Sequence, residues 1–176
     1  MKKVVAALIL VLVALIGCRR DVLEGLEPDA ASTRDVVFDL DSVPYATLSP
    51  ANGVLPYEPI TSLFSDYAHK KRFVWMPPGT HATYASDSTV LEFPEGAELI
   101  KNFYYDHVQP ANTRQLMETR MLIRKNGVWI FANYIWNAEQ TEATYSLSGS
   151  SVPVIFATEQ DEFRCVTYRI PTQSEC

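Results

Sequence analysis

From position 36 onward the chain alternates short β-branched and aromatic runs with Pro, Gly, Asn, Asp and Ser, and shows no long stripe at helical spacing. That pattern predicts strands near 36–40, 72–76, 89–93, 98–105, 115–124, 128–136, 141–147, 152–157 and 162–169. The firmest unit is "RQLMETRMLIRKNGVWIFANYIWN", in which Met117, Thr119, Met121 and Ile123 alternate with Leu116, Glu118, Arg120 and Arg124. Asn126-Gly127 then separates two β-rich runs, and an Asn-Gly pair supplies the two positive φ angles of a type I′ hairpin turn. The elements add up to an all-β domain, an antiparallel sandwich or jelly-roll-like pair of sheets. "LFSDYAHKKR" is expected to add one helical turn.

The front of the chain follows a different pattern. Lys2 and Lys3 precede an uncharged apolar run, residues 4–16. A permanent membrane helix needs about 20 such residues, so the run has the proportions of a signal-peptide core. Leu15-Ile16-Gly17-Cys18 after it resembles a bacterial lipobox. The resemblance implies a signal peptide at 1–17 and acylation of Cys18, and several acyl chains on one residue anchor stably. Arg19, in place of an aspartate, implies an outer-membrane or periplasmic-face location in a Gram-negative host. An ordinary signal peptide with a chance cysteine is the competing reading. Residues 18–35 are polar and acidic without a period, and read as a lipidated flexible tether. The β-rich domain is then 36–176.

Charge narrows the partners. Loss of Lys2 and Lys3 leaves 13 of the 15 basic residues against 21 acidic ones, and moves the net charge from −6 to −8. Phosphate backbones need clustered Lys and Arg, so nucleic acid is excluded as a partner.

The chemistry-bearing residues are sparse. His69, His81 and His107 share no metal-ligand spacing, and neither a G-x-S-x-G elbow nor a Walker loop nor a Rossmann fingerprint is present. No catalytic motif is found, although a fold can assemble a hydrolase site from distant residues. Asp66, Arg72 and Trp75 in "LFSDYAHKKRFVWMPPG" form a candidate binding cleft for a sugar or small anion; the competing reading is a solvated turn leading into an edge strand. Glu118 and Arg120 are two apart on one strand, so either their face is solvated or they form a buried ion pair. Tyr134 and Trp136 share a face, as core aromatics or as a carbohydrate platform.

The order of "VLPYEPITSLFSDYAHKKRFVWMPPG", "LEFPEGAELIKNFYY", "METRMLIRKNGVWIFANYIWN" and "YRIPTQSEC" resembles a family of exported bacterial proteins in which such a β-rich region precedes a c-type haem attachment motif, C-x-x-C-H. The resemblance covers about 43–176 and implies a lipid-anchored domain of a haem-linked electron-transfer protein with a redox protein partner. Cys176 stands where the first haem cysteine would be, while the second cysteine and the histidine are absent. The expectation is therefore no cofactor in this chain and haem c in the intact gene product, with the chain truncated before the attachment segment. A Cys165 to Cys176 disulfide, and a buried inert Cys165, are the alternatives. A surface module binding carbohydrate or protein is the competing function.

Overall fold

The computed structural model describes residues 48, 50, 53–61 and 63–175; Cys18, the tether, the expected strand at 36–40 and Cys176 lie outside the described residues. The protein is all-β and antiparallel. Among the described residues eight strands follow one another: β1 (Leu55–Tyr57), β2 (His69–Trp75), β3 (Glu98–Val108), β4 (Thr113–Lys125), β5 (Val128–Trp136), β6 (Ala143–Tyr145), β7 (Ser150–Ala157) and β8 (Phe163–Ile170). A 3-10 turn, Gln173–Glu175, follows β8.

β1 to β6 form a meander in sequence order, each strand paired with the next. The β4–β5 hairpin closes on Lys125 opposite Val128, with Asn126 at φ 54 and Gly127 at φ 75. The Glu95 carboxylate accepts from the backbone N–H groups of Asn126 and Gly127, so the turn is held by a loop residue as well as by its own dihedrals. At the far end of β3 the pairing irregularities around Tyr104 and after Tyr105 bend the strand. There Val108 pairs with Phe156 of β7, and among the described residues this is where the β7–β8 ribbon joins the sheet.

The ribbon folds over one face of the meander. Tyr105, Phe103 and Met117 from below meet Val154, Phe156, Tyr168 and Ile170 from above in the larger core cluster. The opposite face carries Phe73, Ile100, Met121 and Ala132, in direct register across β2 to β5 and packed with Val54. Period-two alternation lets one strand serve both cores.

Four expectations need correction. Residues 89–93 form no strand: Val90 and Leu91 are exposed, and only an isolated bridge from Thr83 to Glu92 forms there, because no neighbouring strand offers the segment a ladder. The expected strand 141–147 shortens to Ala143–Tyr145, since Asn137 ties down the preceding turn by accepting from the N–H groups of Thr141 and Glu142. No helical turn precedes β2, because Asp66 and Tyr67 have φ of 46 and 66, a left-handed pair that cannot propagate an α-helix. Cys165 is exposed, not buried; Val166, Tyr168 and Ile170 are the positions of β8 that turn inward. The sequence pattern also gives no sign of β1, around Pro56; a proline is tolerated there because β1 is the outermost strand of the described sheet.

Candidate functional site

The face beneath the ribbon is ordered in rows running across the strands. In the first row Phe103, Glu118 and Ile135 lie opposite one another on β3, β4 and β5, where the ribbon covers them. The second row, two residues along each strand, reads Tyr57, Arg72, Lys101, Arg120 and Asn133 from β1 to β5. The third reads Leu55, Val74, Leu99, Leu122 and Phe131. The ribbon stops short of the second row, and a cleft of about 350 Å³ opens there, lined by Tyr57, Leu99, Lys101, Arg120, Leu122 and Phe131. Glu175, in the turn after β8, stands in its wall.

The second row is electrostatically unusual. Arg72, Lys101 and Arg120 sit directly opposite one another on adjacent strands, and like charges in that relation oppose sheet formation. Arg120 is compensated by Glu118, whose side chain is fully buried: Arg120 Nη2 donates to Oε1 at 2.5 Å, Tyr168 Oη donates to the same oxygen at 2.6 Å, and Asn133 Nδ2 donates to Oε2 at 2.8 Å. Among the described residues no carboxylate forms an ion pair with Arg72 or Lys101. The Phe103 ring, in the first row on the same face, flanks the cations, with Lys101 Nζ 4.7 Å and Arg120 Cζ 4.4 Å from its centroid. Burial, and then the fields of Arg72, Arg120 and Lys70, push the Lys101 ammonium down to about 8, against a smaller opposing pull from Glu118.

Burial also raises Tyr168, with the neighbouring Glu118 carboxylate adding to the effect. Tyr168 is therefore a fixed donor to Glu118. Glu98 is buried on the other face, beside Trp75 and Ile123 in register, and burial pushes it up to about 7.

The sequence-based candidates are dispersed. Arg72 lies in the cationic row. Trp75, three residues on, projects from the opposite face and packs against the second core cluster. Asp66 occupies the turn before β2, where its carbonyl accepts from Tyr105 Oη at 2.6 Å and its neighbour Tyr67 meets Phe156 of the ribbon. Those three residues do not share one cleft. Glu118 and Arg120 form the buried ion pair that was one of the two options for them. Tyr134 and Trp136 serve the core face: Tyr134 contacts Tyr145, and Trp136 Nε1 donates to Thr119 Oγ1 at 3.0 Å. Sequence reasoning missed Lys101, Tyr57 and the third row. The one local signal was a lysine in the middle of the apolar run "ELIKNFYY".

Among the described residues no group of three or more His, Cys, Asp and Glu side chains could hold a metal ion. No family model, curated protein or solved structure matches the chain.

Proposed function

We propose that this protein is an exported binding module, anchored to a membrane through Cys18, that holds the anionic group of a ligand in the cleft between β1 and the turn after β8. The observation that carries the reading is the register of Arg72, Lys101 and Arg120, three cations side by side; among the described residues Glu118 is bonded to Arg120, and the Glu175 carboxylate in the cleft wall is held by Arg169 and Thr172. A fold would not accept that repulsion without return, and a bound anion relieves it. The rest of the surface is acidic on balance, the chain carrying a net charge of −6, so the row is a local attractor and not part of a general basic surface.

Titration calorimetry with sodium phosphate, acetate and glucuronate tests this. Saturable binding of at least one anion is expected, weakened about tenfold or more by Lys101→Met, with further loss as salt screens the row. Equal affinity in the wild type and Lys101→Met would overturn the reading.

A second reading, the haem-linked redox domain, is favoured by one observation: Glu175, the residue before Cys176, lies in the cleft wall. The second cysteine and the histidine of C-x-x-C-H are not in this sequence, so the residues present do not hold a haem. A haem-stained gel of the product expressed with its native downstream sequence tests this reading. Covalent haem is expected there and not in the 176-residue form, and its absence from both would remove the redox role.

A further inference from the structure

The third row gives the ligand its class. Leu55, Val74, Leu99, Leu122 and Phe131 run parallel to the cationic row, one residue pair further along every strand from β1 to β5. None of these side chains carries a polar atom. Leu55 is 56% and Leu122 39% exposed, and the cleft takes in Leu99, Leu122 and Phe131 together with Lys101 and Arg120. Across five strands, at about 4.8 Å per spacing, the row is about 19 Å long. The site therefore joins a line of positive charge to a line of bare hydrocarbon, with Tyr57 at one edge and a Glu175 carboxylate that Arg169 and Thr172 already occupy.

A sugar body needs hydrogen-bond partners for its hydroxyls, and the third row offers it no side-chain donor or acceptor. A hydrocarbon body needs none. We propose that the cleft binds a fatty-acid anion, its carboxylate on Lys101 and Arg120 beside Arg72 in the same row, and its chain along Leu99, Leu122 and Phe131. The inference rests on the anion-binding reading above and adds the second half of the ligand. Charge complementarity fixes the head group, and the apolar row fixes the tail.

The test uses the full chain carrying Cys18→Ser, so that no lipid attached at that residue competes. Octanoate, acetate, octyl glucoside and glucuronate are titrated separately by calorimetry, below any micellar concentration. Two buried methylenes are worth roughly tenfold in affinity, so octanoate should bind at least about tenfold tighter than acetate. Lys101→Met should weaken octanoate and acetate alike. Leu122→Gln, at a half-exposed position, should shrink the ratio of octanoate to acetate affinity towards one. Chemical-shift changes at Leu99, Leu122 and Phe131 on adding octanoate to the unsubstituted apolar row give a readout that needs no row variant. If acetate and octanoate bind equally and both depend on Lys101, the anion site stands and the fatty-acid assignment fails. Tighter binding of glucuronate than of octanoate, or equal binding of octyl glucoside, also overturns the assignment. No Lys101-dependent binding of any anion removes both readings.

Discussion

At Glu118 three donors from β4, β5 and β8 converge on one carboxylate with no exposed surface. A buried charge tolerates this site because its lone pairs are filled, and removing one donor exposes the cost. Tyr168→Phe keeps the ring and deletes the hydroxyl, so it should lower stability by about 1.5–3 kcal/mol, the range for hydrogen bonds to charged groups. Urea denaturation should show a lower midpoint with an unchanged slope; an unchanged midpoint would mean that Arg120 and Asn133 suffice. Lys101 gives a pH signature of opposite consequence for folding and for binding. Its folded-state value is about 8 against an ordinary 10.5. Between those limits the unfolded chain binds more protons, so stability should rise with pH across that window, while anion affinity should fall as Lys101 loses its charge. Titrations of acetate, fully ionised at both values, at pH 7 and pH 9 check the second half, and Lys101→Met should abolish the difference.

Among the elements, the β4–β5 hairpin was legible in advance because its signal is local. Asn126-Gly127 meets a steric demand that few other pairs meet, and the flanking alternation fixes which residues face which core. At Gly127 an added Cβ meets nothing within 4 Å, so the whole cost of a side chain there is the backbone at φ 75. Gly127→Val should therefore cost about 1–3 kcal/mol in a thermal melt. Gly149, before β7, is different. At φ 69 its Cβ would lie 2.8 Å from the Ile170 carbonyl oxygen and 3.0 Å from Pro171. Gly149→Ala must displace the backbone that carries Glu175 to the cleft, and should lower the melting temperature more than Gly127→Ala does. The mistaken strand at 89–93 and the unforeseen β1 have one cause. A short apolar run becomes a strand only if a neighbour presents its edge, and Leu55–Tyr57 found β2 while 89–93 found no strand.

For the whole molecule, the expected anchor is a property of the first 18 residues and should act independently of the fold. Wild type and Cys18→Ser expressed in a Gram-negative host should partition differently, the first with the membrane pellet and the second in the soluble fraction; equal partition would remove the anchor. By itself the sequence determined the all-β class, the sites of most strands and the position of the tightest turn. Alternation and positive-φ residues are read over a few neighbouring positions. It also marked Glu118 and Arg120 as a pair that had to be solvated or joined. Only the tertiary structure decided that they are joined, because the partner that closes the network, Tyr168, arrives from a ribbon 50 positions away. Only register could set Arg72, Lys101 and Arg120 in one line and send Trp75 to the other face. Register is a pairing between strands, and a slip of one residue would have put every one of those side chains on the opposite side of the sheet.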